Sequence, residues 1–338
     1  FAAPTMATAN GLLERTIDWA SNNSVDSVKS MYLAHSKNVL SEPYRELKFS
    51  QIGRDSGRGG GVIASQWMSG RRLGLLSNFV VGTVDQVLMM ALQQRFHMLR
   101  HVGLAGKVII FDEVHAFDTY TSDYLRSTIE WLGFYGASVI LMSATLPPEK
   151  RRTLVEAYST APWLDEEPTG YPLLTLATRD SVEFHPVPPT PTNLEAHIGF
   201  LEDDVNELVN FMEHNLEAGG CVLVICNTIA RAQEAYRALA SIYGEDVQLH
   251  HAGFVAWERV EKEDALRDEL GPESRRGSGR PWRKIVVATQ VAEQSLDIDA
   301  DLLITDIAPM DLIIQRIGRL HRHERPATDR PANLQQPQ

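Results

Sequence analysis

The feature that most limits the fold of this chain is a repeated alternation of short apolar runs with longer amphipathic stretches. Short apolar runs are typical of buried strands, whereas apolar residues three and four apart indicate helices. The runs predict strands at 79–83, 107–111, 138–145, 221–227, 247–251, 284–290 and 302–308. Helices are predicted between them, at 6–21, 84–100, 120–134, 148–158, 203–217, 228–243 and 256–269. This order favours an α/β protein whose sheets are mainly parallel and covered by helices on both faces.

Length and proline content predict how the chain divides into domains. A chain of 338 residues suggests two domains. Prolines cluster in "HPVPPTPTN", where they deny backbone hydrogen bonds, so we expect regular structure to lapse between about 160 and 197. The predicted division is a first domain, a linker, a second domain and a mobile tail, at 1–178, 179–197, 198–325 and 326–338. The segment "GRDSGRGGGV", at 53–62, predicts a flexible surface loop.

Composition excludes several classes of protein. No run approaches the roughly 18 apolar residues of a membrane span, and the first residues lack a secretion pattern, so we expect no membrane partner. Cys221 and Cys226 lie in one predicted strand, where they are expected to be core thiols of a cytoplasmic protein. The net charge of −12 argues against nonspecific coating of nucleic acid, because Lys and Arg carry phosphate binding. The net charge does not exclude a local basic channel on the surface.

The segment "KVIIFDEVHAFD" ends a predicted strand with two adjacent acids, Asp112 and Glu113. Ligands of parallel sheets collect at the carboxyl ends of the strands. In nucleotide hydrolysis one carboxylate holds Mg²⁺ through water, while its neighbour orients and deprotonates the attacking water. An isolated acid pair is more often a solvated strand end. The residues at the other strand ends are therefore needed to distinguish a nucleotide site from a solvated strand end.

The next predicted strand ends in "LMSAT", where the hydroxyl groups of Ser143 and Thr145 could bond to His115 and relay the nucleotide state. In the second half, one turn collects four polar residues, Gln290, Glu293, Asp297 and Asp299. If the later segment "DLIIQRIGRLHRH" is helical, its spacing places three polar side chains on one helical face, namely Gln315, Arg319 and Arg322. Arginine near a γ-phosphate stabilises the charge that develops during phosphoryl transfer.

In chain order, these motifs resemble the motor core of superfamily 2 helicases, in which two RecA-like domains sandwich ATP and bind a single strand. The segments "PTMATAN", "VVGTVDQ", "KVIIFDEVHAFD", "SATLP", "VAEQSLDID" and "QRIGRLHRH" resemble, more closely, the helicase part of the CRISPR-associated helicase-nuclease family of type I interference. The resemblance extends to about residue 325. It implies two RecA-like domains, with single-stranded DNA and an RNA-guided CRISPR surveillance complex as partners.

The resemblance also implies roles for individual residues. Asp112 would hold Mg²⁺ and Glu113 would activate water, while four residues couple hydrolysis to strand movement, namely His115, Ser143, Ala144 and Thr145. Contacts to ATP would come from the acid pair together with Gln290, Glu293, Asp297, Gln315, Arg319 and Arg322. Contacts to nucleic-acid phosphates would come from Pro4, Thr5, Gly82, Thr83, Asn227, Thr228 and Thr289, whose hydroxyls and amides do not read bases.

The chain departs from the family pattern at two points. Family members carry a phosphate-binding loop, G-x-x-x-x-G-K-[ST], but here the pair Gly106–Lys107 is followed by Val108 and enters a strand, and the loop at 53–62 lacks the lysine. The family's nuclease needs a metal-binding His-Asp domain, and no adjacent His-Asp pair occurs in this sequence. The opening "FAAPT" reads as the end of a buried strand, so we expect a piece of a longer protein. Alone it should bind ATP poorly and leave a sheet edge unpaired.

The sequence therefore predicts an ATP- and Mg²⁺-dependent DNA translocase and helicase core that unwinds foreign DNA for a nuclease domain. Any nuclease metals are expected only in that other domain. A stand-alone DExH RNA helicase is one alternative, but the segments "GTVDQ" and "GRLHRH" disfavour it. A non-catalytic binding module is the other, because the chain lacks the phosphate-binding loop.

Overall fold

The computed structural model describes residues 1–23, 29–36, 38, 41–49, 62–65, 68, 73–163, 168, 170–189, 195–294 and 297–337. The chain separates into two compact units, Phe1–Thr190 and Pro191–Gln338. The predicted flexible loop lies outside the described residues except for Val62. Among the described helices, none has the length and apolar character needed to cross a membrane.

The first unit is built on a parallel sheet of six strands. These are β1 (Ala2–Ala3), β2 (Lys29–Ala34), β3 (Val62–Ile63), β4 (Phe79–Thr83), β5 (Ile109–Phe111) and β6 (Val139–Leu141), in the spatial order β3-β2-β4-β1-β5-β6. Its helices are α1 (Met6–Asn22), α2 (Glu42–Phe49), α3 (Asp85–Leu88), α4 (His97–Ala105), α5 (Thr119–Phe134) and α6 (Pro148–Tyr158). Two apolar clusters form the core of this unit, one containing Phe111 and Leu125 and the other Leu13 and Leu33. Ala2 and Ala3 are buried, so the opening residues form a buried strand.

Three features of this unit differ from the prediction. Residues 84–100 do not form one helix, because α3 gives way to a 3₁₀ turn and Phe96 adopts a left-handed backbone before α4. The predicted elements also did not include β2, α2 or β3, which are short or begin with polar residues. Regular structure is present in part of the range 160–197, since β7 (Leu173–Ala177) and β8 (Val182–Pro186) pair as an antiparallel hairpin. Pro186 closes β8, and the prolines after it follow the paired residues.

One edge of the six-stranded sheet is open in the described part of the unit. There β6 pairs only with β5, and β7 pairs only with β8. A cleft of about 720 Å³ lies between residues of β6 and β7 and is lined mainly by apolar side chains. Among these residues, β6 is thus an edge strand, as β3 is at the other side of the sheet.

The second unit contains a parallel sheet of four strands. These are β9 (Gly220–Ile225), β10 (Val247–His250), β13 (Arg283–Ala288) and β14 (Leu302–Thr305), in the order β10-β13-β9-β14, while β11 (Arg275–Arg276) and β12 (Gly279–Arg280) pair with each other. Its helices are α7 (Val205–Asn215), α8 (Ile229–Tyr243), α9 (Ala256–Leu270), α10 (Val291–Gln294) and α11 (Met310–Ile317). Both cysteines are buried and free, as predicted.

The segment after residue 325 packs against the second unit, where a mobile tail was expected. It forms two 3₁₀ turns, Ala327–Asp329 and Ala332–Leu334, and Leu334 is fully buried in the core. Arg330 is also buried, with its guanidinium group against the carboxylates of Asp299 and Asp301. The proline-rich composition concealed these contacts, because they join residues about thirty positions apart.

Candidate active site

The acid pair lies in a tight turn directly after β5. Glu113 has a left-handed backbone, with φ of 53°, and its N–H donates to Asp112 Oδ1 at 3.0 Å. The N–H of Val114 donates to the carbonyl of Met142, which follows β6, at 3.0 Å. The turn is thereby fixed to the neighbouring strand, and the Glu113 side chain stays 40% exposed. Carboxylate oxygens are the ligands that Mg²⁺ prefers, so the donor set of this turn fits that ion.

His115 connects the acid pair to the loop after β6. Its Nε2 lies 3.1 Å from Glu113 Oε2, and its Nδ1 accepts the N–H of Ala144 at 3.3 Å. A neutral imidazole that accepts at Nδ1 carries its proton on Nε2, so in that tautomer the N–H of His115 faces the Glu113 carboxylate. Ser143 Oγ is also 3.1 Å from Nδ1, and it donates to the Thr145 carbonyl at 3.2 Å. The structure thus brings the predicted coupling residues together around a buried imidazole.

The predicted nucleic-acid residues of the first unit lie at the ends of β1 and β4. Ala3 is the register partner of Thr83, which places Pro4 and Thr5 beside the end of β4. Thr5 caps α1, because its Oγ1 accepts the N–H of Thr8 at 3.2 Å. A β-carbon at Gly82 would overlap the carbonyl oxygen of Ala34, so the strand needs glycine there. Thr83 is buried.

The corresponding residues of the second unit lie at the ends of β9 and β13. Thr228 caps α8 by accepting the N–H of Arg231 at 3.3 Å. Gln290 Nε2 donates to the carbonyl of Asn227 at 2.9 Å, so the two strand ends contact each other directly. Thr289 is only 3% exposed, which leaves its hydroxyl little access to a phosphate.

Glu293 is buried against an arginine that sequence reasoning overlooked, Arg316. The Arg316 Nε donates to Glu293 Oε1 at 2.7 Å, and both side chains are essentially inaccessible. Burial raises the pKa of Glu293 above its ordinary value, although Arg316 acts in the opposite direction. Glu293 therefore pairs with Arg316 inside the unit, and its side chain is not exposed for the predicted contact with ATP. A clue in the sequence was available, since Arg316 lies between Gln315 and Arg319 within "QRIGR".

The expectation that Gln315, Arg319 and Arg322 share one helical face is wrong. Helix α11 ends at Ile317, with Gly318 as its cap, so both arginines lie beyond the helix. Arg319 donates through Nη2 to the Glu293 carbonyl. Arg322 donates through Nε to Asp297 Oδ1 at 2.6 Å.

The polar side chains of this segment differ in what they contact. Gln315 is half-buried, and its Nε2 has no hydrogen-bond partner among the residues that the structure describes. Burial would raise the pKa of Asp297, but Arg322 holds that pKa below its ordinary value. Within the described ranges, no group of three or more His, Cys, Asp and Glu side chains is arranged to hold a metal ion.

Comparison with known proteins agrees with this geometry. The model of the DEAD/DEAH box helicase family matches residues 5–154, and that of the C-terminal part of the CRISPR-associated nuclease/helicase Cas3 matches residues 218–325. The CRISPR-associated nuclease/helicase Cas3 of Streptococcus thermophilus is 42% identical over 96% of this chain and 36% of the relative. The crystal structure of T. fusca Cas3 superposes with a TM-score of 0.85 at 34% identity, covering 99% of this chain and 40% of that one.

A further solved structure, described as a CRISPR RNA-guided surveillance complex, pre-nicking, contains a similar chain. It has a TM-score of 0.66 and 28% identity, and the match covers 97% of this chain and 41% of that chain.

Two mainly parallel RecA-like units with an acid pair after a central strand define the core of a DEAD/DEAH-type helicase. Within that class, the chain belongs to the CRISPR-associated nuclease/helicase Cas3 family. It spans about two-fifths of the length of the relatives that it matches.

Proposed function

We propose that this chain is the motor core of an ATP-dependent DNA helicase that acts in type I CRISPR interference. The observation that carries the proposal is the position of His115, whose Nε2 lies 3.1 Å from Glu113 Oε2 while its Nδ1 accepts the N–H of Ala144 in the loop after β6. A solvated strand end would not need a buried imidazole that bridges two strand ends. The bridge gives the acid pair a route by which hydrolysis can influence the rest of the unit.

Each residue of the site has a distinct task in this proposal. Asp112 would hold Mg²⁺ through water, and the ion would neutralise charge on the ATP phosphates. Glu113 would orient the attacking water and accept its proton. The Nε2–H of His115 would hold the Glu113 carboxylate in place, and a change at Glu113 would reach Ser143 and Thr145 through the same ring. Gln315, Arg319 and Arg322 remain the proposed γ-phosphate contacts.

The proposed grip on nucleic acid relies on strand ends and helix N-termini. Thr5 and Thr228 each cap a helix that follows a strand, and the first N–H groups of such helices can bind phosphates. Pro4, Gly82 and Thr83 lie at the strand ends of the first unit, whereas the buried Thr289 would support the end of β13 without contacting a phosphate. Such contacts hold the backbone of single-stranded DNA without reading its sequence.

The likeness to a chain in a surveillance complex supports docking on an RNA-guided CRISPR complex, with single-stranded DNA as the track. Family membership disfavours a stand-alone RNA helicase. We further propose the two compact units, Phe1–Thr190 and Pro191–Gln338, as the functional domains, because a boundary at 178 would divide the β7–β8 hairpin. We propose the cytoplasm as the location, which two buried thiols fit.

The test is DNA-stimulated ATP hydrolysis by the protein expressed from its complete gene. Glu113→Gln should keep nucleotide binding but slow hydrolysis by about 10²- to 10⁴-fold, because it removes the base and keeps the shape. Asp112→Ala should weaken the dependence on Mg²⁺. Glu130→Gln is the matched control, since Glu130 is exposed on α5. Near-normal turnover of Glu113→Gln would contradict the role of Glu113, and equal stimulation by RNA would favour the RNA helicase.

A further inference from the structure

Arg316 is the largest fully buried side chain in the described part of the protein. A buried guanidinium group is costly unless its charge is paired and its N–H groups are bonded. Arg316 meets both conditions. Its ion-pair partner is Glu293, whose Oε1 is 2.7 Å from both Nε and Nη2.

The remaining N–H groups of Arg316 reach two further segments. Its Nη1 donates to Thr305 Oγ1 at 2.6 Å and to the Asp306 carbonyl at 2.9 Å, both at the end of β14. Its Nη2 also donates to Asn227 Oδ1 at 3.1 Å, at the end of β9. One planar group therefore joins α10, α11 and two strand ends. Lysine could not replace it, because an ammonium group places its donors on a single atom.

Asn227 depends on this arrangement for its position. Its Oδ1 accepts from Arg316, its Nδ2 donates to the Ile307 carbonyl at 2.8 Å, and its N–H donates to Asp306 Oδ2 at 2.8 Å. The Asn227 side chain is thus committed within the unit and is poorly placed to contact a phosphate itself. Its effect is to fix Thr228, the next residue, and the start of α8.

The segments that Arg316 joins carry different proposed tasks. Asn227 leads into the proposed nucleic-acid contact at Thr228, whereas Gln315 and Arg319 are proposed nucleotide contacts. Arg319 also bonds to the backbone of Glu293, the partner of Arg316. A displacement of α11 would therefore be transmitted through one rigid guanidinium group to the start of α8.

We infer that Arg316 is a positioning residue that couples the nucleotide contacts on α11 and directly after it to the nucleic-acid contact at the start of α8. The inference rests on the proposed function and deepens it. Arg316 itself touches neither ligand, because its side chain is inaccessible. Its loss should lower the response to DNA more than it lowers the affinity for ATP.

The test uses the protein expressed from its complete gene and measures ATP hydrolysis with and without a single-stranded oligonucleotide of mixed sequence. Arg316→Met should reduce the DNA-stimulated kcat by about tenfold, a typical coupling strength, while the KM for ATP changes by less than about threefold. Arg316→Lys should fail to restore the stimulation. Arg237→Met is the control, because Arg237 is exposed on α8.

A milder variant covers the case in which Arg316→Met does not fold. Thr305→Val keeps the side-chain shape and removes one acceptor of Arg316, so it should lower the ratio of stimulated to basal rate by about threefold. Thr328→Val, at an exposed threonine, is its control. If folded variants of Arg316 or Thr305 keep the wild-type ratio of stimulated to basal rate, the inference about Arg316 is wrong, but the proposed function is not affected. A wild-type protein without any DNA stimulation would overturn the proposed function, and the inference with it.

Discussion

A buried charge cluster in the second unit predicts that losing an acid will cost more stability than losing a base. Asp299 and Asp301 are inaccessible and contact the guanidinium groups of Arg280, Arg325 and Arg330. Arg330 Nη2 is 2.9 Å from both carboxylate oxygens of Asp299, and Arg280 Nη2 donates to Asp301 Oδ1 at 2.8 Å. Two carboxylates thus face three guanidinium groups.

The two substitutions change this charge balance in opposite directions. Asp299→Asn leaves one carboxylate among three buried guanidinium groups, whereas Arg330→Met leaves two of each. Breaking a buried ion pair costs about 3–5 kcal/mol, mainly because it leaves a charge without compensation. We therefore expect Asp299→Asn to lower the free energy of unfolding of the second unit by about 4 kcal/mol. Arg330→Met should cost about 2 kcal/mol, because the remaining charges balance.

Hydrogen exchange read by mass spectrometry separates the two units in one experiment. Peptides from β9 and β13 report the opening free energy of the second unit, while peptides from β4 and β5 serve as the internal control. Asp268→Asn, at an exposed acid on α9, is the matched substitution and should change little. An Arg330→Met variant that is destabilised as much as Asp299→Asn would refute the reasoning from charge balance.

Acid should weaken the same cluster in a predictable direction. Burial would raise the pKa of Asp299, but Arg330, Arg325 and Arg280 together hold that pKa below its ordinary value. A carboxylate with a lowered folded-state pKa stabilises the protein above its unfolded-state pKa of about 3.9 and loses this effect as the pH falls further. The stability gap between wild type and Asp299→Asn should therefore shrink below about pH 4.

Two further predictions concern the strands. Burial raises the pKa of Cys221 to about 12 and that of Cys226 to about 11, so neither thiol should react with iodoacetamide at mildly alkaline pH until the protein unfolds; mass spectrometry that finds rapid alkylation of the native protein would contradict their burial. Gly82→Ala should destabilise the first unit by about 3 kcal/mol through overlap with the neighbouring strand, whereas Gly11→Ala should stabilise it by about 1 kcal/mol, since the helix has open space there. Denaturant titration distinguishes the two glycine variants, and equal effects would contradict the overlap.

Apolar runs predicted the central strands well because strands of a parallel sheet are buried on both faces. The strand at 79–83 is confirmed residue for residue, and the run at 221–227 contains nearly all of β9. Elements of two residues, such as β1 and β3, are too short to show a period. The β7–β8 hairpin was missed because proline clusters counted against the whole segment, although three of the four prolines of "HPVPPTPTN" follow the last paired residue.

The site was predictable where the candidate catalytic residues directly follow a strand. Asp112, Glu113, His115 and Ser143 all lie within a few residues of a strand terminus, so a correct strand assignment places them together. The segment after β14 was harder to predict. Gly318 is a common helix-ending residue, and giving it due weight would have ended α11 before Arg319.

Arg316 could not be placed from local sequence at all. Its partners are Glu293, 23 residues earlier, and Asn227, 89 residues earlier. Burial of an arginine depends on acceptors that only the folded sheet brings together. A periodic pattern assigns Arg316 to a helix but cannot say that the charged side chain points into the unit.

The pairing of the arginines limits how the acidic chain could make the proposed contacts with DNA. Several guanidinium groups of the second unit are paired with acids inside that unit, namely Arg231, Arg280, Arg316, Arg322, Arg325 and Arg330. Their positive charges are largely neutralised by these ion pairs, which stabilise the strand ends. Each unit nevertheless repeats one arrangement, a strand followed by a threonine that caps a long helix, at Thr5 and at Thr228. Because first-turn N–H groups bind phosphate without adding formal charge, a net charge of −12 is compatible with a sequence-independent grip on DNA.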